Sequence, residues 1–592
     1  MRMKHRLTLP SIPQFESLEP RRLLSASSHI ATAAPAPPKA ISTTIRARAA
    51  SVGPASANSV FLSAEEVKII LSQAASQAAP GMVIAVADRD GNILGLLESP
   101  TPAGTVAPTQ LSIREIKAID QAVTAAFFES TEEAFTTRTA RFIIQDHFPN
   151  PVANTPGGPL YGVQFSSLHG AVSDGLGFHS SDIYPMTIAG LSGDPGGIPL
   201  YINGIPVGGI GVAGDRQDVA ARADVAIQGD TDSSGKASNG AEEHSRNEAV
   251  ALAGAKDFMA PAAIRADKIL LEGLRFPFTV DKPAIGKPAR TFDELQTGGA
   301  TLLTYPGFFN GTIDGGHPNF TDTSFNGVAG QLRFPIIAGT SAGPGLPSLS
   351  SAEVTQIIGQ AVNRATKTRA AIREPIGVAA RVFVSVVDTQ GNVLGVFGMQ
   401  DTTNFSYDVA VQKARTAVFF SNDNAAFSSR AVGFLSQRFF PIGINRGQTG
   451  PLFHLQNELS GFNLVDPASG ALGNIQALKF GGVVSNGITI FPGGFPLYKD
   501  GHLVGGIGIS GDGVDQDDLI GYTGTAGFRP APAIRSDHLG PVAIANLIDS
   551  ILPNLAALGV HQQVRNHISS AVAKDSHHVK LPYVKLPRHA DL

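Results

Sequence analysis

The sequence predicts an α+β protein made of two copies of one domain, each with an antiparallel sheet and packed helices. Two observations support this prediction. A set of short motifs occurs in the same order in each half of the chain. Each set alternates helix-period apolar stripes with β-branched runs joined by turns that contain Gly. Hairpins that follow one another form antiparallel sheets, so we expect a pseudo-two-fold tandem of such domains.

The first element of each copy is predicted to be a helix. The segment LSAEEV at residues 62–67 returns as LSSAEV at 349–354. Behind each segment, apolar residues recur at the spacing that places them on one helical face. Ser63 and Ser350 each precede a Glu by three residues, which predicts a capping box at both helix starts.

Two hairpins follow in each copy. The turn DRDGN at 88–92 matches DTQGN at 388–392, with β-branched runs on both sides. A later run, GGIPLYINGIPVGGIGV at 196–212, matches GGFPLYKDGHLVGGIGI at 493–509. Asn-Gly and Asp-Gly at their centres predict tight two-residue turns, because both positions need positive φ. The glycines inside the final strands predict close approach of a helix or a ligand.

The remaining motifs complete the repeat and its boundaries. TAAFF at 124–128 matches TAVFF at 416–420, and AIRAD at 263–267 matches AIRSD at 533–537. From these pairs we predict six segments: 1–26 for export or sorting, 27–58 as an Ala/Pro/Ser-rich linker, 59–275 as domain 1, 276–348 as a Gly/Pro/Phe-rich connector, 349–545 as domain 2, and 546–592 as a His- and Lys-containing tail.

Composition excludes several classes of function. The 592 residues include no Cys, so disulfides, thiolate metal sites and Cys nucleophiles are excluded. The net charge is −4 and no basic stripe occurs, which disfavours nucleic acid as a partner. No apolar run has the length of about 18 residues that a transmembrane helix needs.

The N-terminal segment predicts export. Residues 18–25 read LEPRRLLS, which resembles the LEPRxLLS-type segment of exported bacterial surface proteins. The resemblance implies an extracellular or cell-surface location. The alternative is an amphipathic stub in an unstructured leader.

The motifs of the second copy resemble the GlcG/HbpS family of haem-binding and haem-degrading domains. The resemblance rests on DTQGN at 388–392, KARTA at 413–417 and the Gly-rich run at 493–509. It implies a five-stranded antiparallel sheet of the PAS or profilin type, frequent homo-oligomerisation, and binding of haem or another small organic ligand. The first copy reads QAVTA at 121–125, so we expect the second copy to be the more competent one.

Candidate ligand-binding residues follow from charge and from repeated positions. Haem usually needs an axial ligand such as His, but His147 and His454 are each present in one copy alone. Propionate groups pair well with cations, and repeated strand tyrosines are suited to a ligand wall. The alternative roles are structural ion pairs and plain packing. The candidates are Lys413, Arg415, Arg430, Tyr498, Arg138 and Tyr201.

A weak calcium candidate lies in an insert of the first copy. Asp230, Asp232 and Ser234 resemble the start of a calcium-binding loop, but the twelfth position is Ala241 where a Glu is needed. The second copy lacks this insert.

The combined prediction is an exported, non-covalent binding protein for haem or a related planar or small organic ligand. One alternative is a structural or surface-interaction protein whose domains pair within the chain and bind nothing small. A second alternative is an enzyme that degrades haem or a metabolite. No catalytic motif is visible, so we assign no catalytic residue and favour a role without catalysis.

Overall fold

The computed structural model describes most of both repeats. The described residues are 60–100, 108–143 (with side chains from 114), 172–173, 177–178, 191–214, 245–271, 273–305, 309–436, 450, 452, 482–484, 486–540, 544, 546–551 and 580–586. The export motif at 18–25, the calcium candidates Asp230, Asp232 and Ser234, and the tail histidines all lie outside these residues.

Each repeat forms one α+β domain, which confirms the predicted fold class and the tandem of two domains. The first copy contains α1 (Ala64–Gln77), β1 (Val83–Asp88), β2 (Ile93–Glu98), α2 (Pro108–Phe127), α3 (Thr137–Ile143), β3 (Val172–Ser173), β4 (Gly177–Phe178), β5 (Gly197–Ile202), β6 (Ile205–Ala213) and α4 (Arg246–Gly254). The segment between the copies contains α5 (Phe292–Thr297), β7 (Thr301–Leu302), β8 (Asp322–Phe325) and β9 (Val328–Phe334). The second copy contains α6 (Ser351–Ala365), β10 (Val382–Val387), β11 (Val393–Met399), α7 (Phe405–Phe419), α8 (Ser429–Leu435), β12 (Gly494–Lys499), β13 (His502–Gly511) and α9 (Val514–Gly524).

Both predicted capping boxes are confirmed. At the start of α1, the Glu66 amide donates to Ser63 Oγ at 3.3 Å and the Ser63 amide donates to Glu66 Oε2 at 2.7 Å. The corresponding bonds join Ser350 and Glu353 at the start of α6. Each box satisfies backbone donors that have no partner within the helix, so the same local sequence starts the same helix twice.

The hairpin turns are also confirmed. Asn203 and Gly204 have φ of 52° and 81°, and Asp500 and Gly501 have φ of 53° and 83°. Positive φ at both central residues gives the tight turn that matches the twist of the strands. In the first β1–β2 turn, Asp88 accepts bonds from the amides of Asp90 and Asn92, so turn chemistry explains this acidic motif.

Both sheets are antiparallel and both are completed by the segment between the copies. The first sheet has the order β5-β6-β1-β2-β7 and the second has β12-β13-β10-β11-β9-β8. Each repeat supplies four of these strands in the same order. Strand β7 pairs with β2, and β9 pairs with β11, so residues 301–334 add edge strands to both domains.

Each sheet is covered by helices on both faces. In β1, Ile84 and Val86 belong to the core under α1 and α4, whereas Val83, Ala85 and Ala87 belong to the core under α2. This alternation is the period of two expected for a strand buried on both sides. The second domain has the same arrangement, with α6 and α9 on one face of its sheet and α7 on the other.

Glycines in β6 and β13 allow α2 and α7 to lie directly against the sheets. A Cβ on Gly211 would be 2.1 Å from the carbonyl oxygen of Ala118, and one on Gly508 would be 1.9 Å from that of Ala410. The obstacle is helix backbone, which cannot move aside. The predicted close approach is therefore by a helix.

A short strap closes each domain, and it lies beyond the boundaries predicted at residues 275 and 545. In the first domain, Thr136 Oγ1 donates to the carbonyl of Phe278, and the Arg265 guanidinium lies over the Phe278 ring. In the second domain, Ser428 Oγ donates to the carbonyl of Tyr583, and Arg535 lies over the Tyr583 ring. The straps share only a Pro-aromatic pair, at 277–278 and 582–583, which is too short to reveal a repeat.

The two domains contact each other through non-equivalent surfaces. Phe128 of the first domain stacks on Phe405 of the second, and one apolar core cluster contains residues of both domains. Phe420, the counterpart of Phe128, packs instead with Leu547 and Ile548 near the C-terminus. Among the described helices, none is long and apolar enough to cross a membrane.

Candidate functional site

The candidate residue Lys413 forms a buried ion pair in the second domain. Its Nζ lies 2.8 Å from Asp517 Oδ2, donates to the carbonyl of Ile509 at 2.7 Å, and sits 4.7 Å from the Phe491 ring centroid. Burial lowers the pKa of Lys413, and Asp517 opposes that shift. Burial likewise raises the pKa of Asp517 to about 7, against the effect of Lys413.

The candidate residue Arg430 lies next to this pair. Its guanidinium contacts Asp518 and also Asp515, the latter at 2.6 Å. The strap joins the same group, because the Lys585 amide donates to Asp518 and Lys585 Nζ lies 2.7 Å from Asp515. Carboxylates balance cations throughout this network, and its outer end at Lys585 is exposed.

The first domain contains the same network in a partly neutral form. Gln121 and Asn247 occupy the positions of Lys413 and Asp517. The candidate Arg138 corresponds to Arg430 and is fully buried, with Nε 2.6 Å from Glu248 Oε1. The strap again takes part, because the amide of Asp281 donates to Glu248.

The other three candidates also have partners inside their own domains. Arg415 donates to the carbonyl of Gly391 at 2.9 Å and to Asn486 Oδ1 at 2.7 Å. Tyr201 and Tyr498 donate their hydroxyl groups to backbone carbonyls of the turn that follows α2 or α7. The structure thus brings Lys413 and Arg430 together and places Arg415 and Tyr498 elsewhere. Ligand binding by any of the six stays a prediction.

A second polar cluster, which sequence reasoning missed, lies at the contact between the domains; we call it the seam. Arg373, on a loop that the first copy lacks, reaches the first domain, donating to Ser130 Oγ at 3.0 Å and to Glu132 Oε2 at 3.2 Å. Within its own domain it contacts Asp512 and Asp401. Burial alone lowers the pKa of Arg373, but the surrounding carboxylates, Asp512 foremost, more than offset this, so it stays charged.

Asp401, in the second domain, also contacts the first domain at the seam. It accepts bonds from the Thr131 amide at 3.0 Å and the Thr131 hydroxyl at 2.8 Å, and it lies 3.1 Å from Arg89. Asp401 has a φ of 64°, which is uncommon for a residue other than Gly. These contacts stabilise the backbone conformation in which the Asp401 carboxylate faces the first domain.

Two carboxyl groups beneath the seam are buried without normal partners. Glu129 and Glu133 are both 0% exposed, and neither accepts a hydrogen bond of normal geometry from any described residue. Burial raises the pKa of Glu129 well above its ordinary value, and Arg89 counters only part of this. Burial also raises the pKa of Glu133, with Arg373 as the main opposing charge.

A small cavity opens at the edge of the seam. It measures about 40 Å³ and is lined by residues that include Arg89, Asp90, Arg333, Asp401 and Phe383. A site for a drug-sized ligand typically measures about 300–1,000 Å³, whereas a water molecule occupies about 30 Å³. The cavity therefore has room for water and not for a haem macrocycle.

The sequence carried two signals for the seam. The turn after α2 reads ESTEE at 129–133, whereas the matching turn in the second copy reads SNDNA at 421–425. The loop with Arg373 occurs in the second copy alone. Charge present in one copy and absent from the other marks a surface that the copies do not share. Among the described residues, no group of acidic or His side chains is arranged to hold a metal ion.

Comparison with known proteins gives one family. Residues 349–526 match the sequence model of the family described as haem degrading protein HbpS-like. A curated relative, the corrinoid adenosyltransferase PduO of Salmonella typhimurium, is 30% identical over 162 residues. That match covers 27% of this chain and 36% of PduO, so the chain spans about a third of its relative's length.

Solved structures of similar proteins are also known. A PduOC:heme complex is 25% identical and matches 31% of this chain and 98% of its own, with a TM-score of 0.21. Klebsiella pneumoniae protein ORFY is 20% identical over 32% of this chain and 94% of its own, with a TM-score of 0.21. A double mutant of Streptomyces reticuli HbpS is 22% identical over 32% and 97%, with a TM-score of 0.18. Residues 349–526 thus match the HbpS-like family model, and the first half of the chain repeats the elements of that segment in the same order.

Proposed function

We propose that this chain is a non-covalent binding protein for haem or a related small organic ligand, with the binding in the second domain. The observation that carries the proposal is the match of residues 349–526 to the HbpS-like family. The structure of PduOC with haem supports the choice of ligand. The second domain also keeps the charged pair Lys413–Asp517, which the first replaces with neutral residues.

The exposed end of the Arg430 network is the part of this domain that suits a ligand carboxylate. Arg430 and Lys585 share Asp515, and the Lys585 side chain is 64% exposed. A propionate group that joins Lys585 and Arg430 would replace water at this end without breaking the buried Lys413–Asp517 pair. The cavity at the seam is too small for haem, so we propose a ligand held against the outside of the domain.

We further propose that the chain is exported to the cell surface or beyond, on the strength of the LEPRRLLS segment at 18–25. Immunodetection of the tagged full chain in medium, envelope and cytoplasm tests this. Recovery in the cytoplasm alone would contradict export.

Haemin titration of the full chain, followed by Soret absorbance, tests ligand binding. The full chain is needed because residues 580–586 form part of the second domain. Replacing the five tail histidines (His561, His567, His577, His578 and His589) with Ala removes adventitious ligands. We expect a saturable shift at micromolar haemin, weakened by Lys585→Ala or Arg430→Ala and kept by Arg138→Ala.

The second candidate is a structural or surface-interaction role without a small ligand, and the contact between the domains favours it. Phe128 stacks on Phe405, and Arg373 pairs with Glu132, across the contact between the two domains. Absence of a saturable shift at micromolar haemin would overturn the haem proposal in favour of this role. Loss of haem absorbance over time with a reductant present would instead indicate the degradation that the family's description names.

A further inference from the structure

The seam holds more acidic groups than basic ones. Its charged residues from all the packed elements are the acidic Asp90, Glu129, Glu132, Glu133, Asp401 and Asp512 and the basic Arg89, Arg333, Arg373 and Arg381. Most of the acidic groups have a close cation or an amide donor. Glu133 lies 4.0 Å from Arg373, and Glu129 forms no ion pair with a described residue, so the excess negative charge falls on these two.

The surroundings of Glu129 disfavour its charged form. Arg89 is the cation that opposes this effect, but its guanidinium already pairs with Asp401, 3.1 Å away. The backbone amides of Leu200 and Gly208 and the ring of Tyr201 complete the site. The cost of burying the charge outweighs the effect of these amides and of Arg89, so a neutral carboxyl group is the stable form here.

Glu133 is in a similar position. Its nearest cation is Arg373, at 4.0 Å, and Asp512, Asp401 and Glu132 lie closer to that same guanidinium. These three carboxylates also repel a charge on Glu133. Arg373 is shared among these carboxylates and lies farthest from Glu133, which again favours the protonated form of Glu133.

Both groups lie directly under the contacts that join the domains. Glu129 and Glu133 bracket the turn whose residues Ser130, Thr131 and Glu132 bind the second domain. Separation of the domains would admit water and release both groups to ionise. Closure therefore takes up protons, and opening releases them.

We propose that the seam is a proton-operated clasp, which is closed while Glu129 and Glu133 hold their protons and loosens when they lose them. The second copy has Ser421 and Ala425 at these positions, so the device belongs to the contact between the domains and not to the HbpS-like fold. It does not depend on the proposed haem binding.

The sign of the effect follows from linkage. Both carboxyl groups have raised pKa values in the closed state and values near 4.5 when solvated. Raising the pH above 4.5 therefore favours the open state, up to the pKa of the closed state. The equilibrium constant for opening should rise about tenfold per pH unit for each proton released.

The chain contains no Cys, so two introduced cysteines can be labelled without background. Lys256→Cys in the first domain and Thr355→Cys in the second place spin labels or fluorophores at exposed positions. We expect the distance distribution of the full chain to be narrow at pH 6 and to broaden towards pH 9.5. The double variant Glu129→Gln/Glu133→Gln should stay narrow throughout. The control Asp423→Asn, on the matching turn of the second copy and away from the seam, should behave like the parent.

Several outcomes would overturn the clasp. These are a distance distribution that does not change with pH, a double variant that broadens like the parent, and an Asp423→Asn control that also abolishes the response. If the double variant does not fold, infrared spectra of the parent at pH 8 provide a second test. A protonated carboxyl band at that pH, reduced in each single variant, supports the clasp, and its absence contradicts it.

Discussion

The ring of Phe128 in the first domain stacks on that of Phe405 in the second, with centroids 4.5 Å apart and planes 21° from parallel. Phe128 belongs to a motif shared by both copies, but its counterpart Phe420 lies under the C-terminal residues of its own domain. The same residue type thus joins two domains in one copy and stabilises a single domain in the other.

The first prediction concerns this stack. Phe128→Ala should lower the free energy of unfolding by about 3–5 kcal/mol, since it removes a buried ring and leaves a void. It should also separate the unfolding of the two domains in urea. Phe420→Ala should destabilise the second domain and leave the unfolding of the domains coupled. An unchanged single transition for Phe128→Ala would contradict the role of the stack.

The second prediction concerns Arg373. Arg373→Met should destabilise the chain by about 3–5 kcal/mol, because it removes the guanidinium that Asp512 and Glu132 contact and leaves Asp401 with Arg89 alone. Arg369→Met on the same loop is the control and should have a small effect. Urea denaturation measures both, and equal effects would show that Arg373 has no special role at the seam.

The third prediction concerns the Lys413–Asp517 pair. Lys413→Gln alone should be strongly destabilising, because it leaves a buried carboxylate without its cation. The double variant Lys413→Gln/Asp517→Asn, which reproduces the first copy, should recover most of that loss. A double-mutant cycle in urea measures the coupling, and additive effects would mean that the pair does not interact.

The fourth prediction concerns the straps. Tyr583→Ala should destabilise the second domain by about 3–5 kcal/mol, since the ring is fully buried against Phe495. Phe278→Ala is the matched change in the first domain. Hydrogen exchange should show loss of protection in the domain that carries each change. If hydrogen-exchange protection of the second domain is unchanged by Tyr583→Ala, the strap does not contribute to the stability of that domain.

The fifth prediction concerns Asp88. Burial raises the pKa of Asp88 to about 7, although hydrogen bonds from Asn92 oppose the shift. Because the folded-state pKa is the higher one, the contribution of Asp88 to stability is complete below about pH 4 and is lost as the pH rises to about 7, at about 1.4 kcal/mol per unit. The difference in unfolding free energy between the parent and Asp88→Asn, measured from pH 4 to 8, should show this slope. A flat difference would contradict it.

The sequence by itself determined the domain fold. Capping serines, Asn-Gly and Asp-Gly turns and alternating apolar residues act over a few neighbouring positions, so their effects can be read from local order. The same holds for the glycines under α2 and α7, since close packing of a helix requires them wherever the strand occurs. Repetition of these signals identified the tandem.

Only the tertiary structure decided which charges meet. Lys413 and Asp517 are far apart in the chain, and Arg373 reaches Glu132 from the other domain. Their pairing depends on where folding places side chains and how much water it removes, and spacing along the chain does not encode either. The edge strands from the connector and the straps were missed for a related reason: they are short, and they gain their structure from the domains on which they pack.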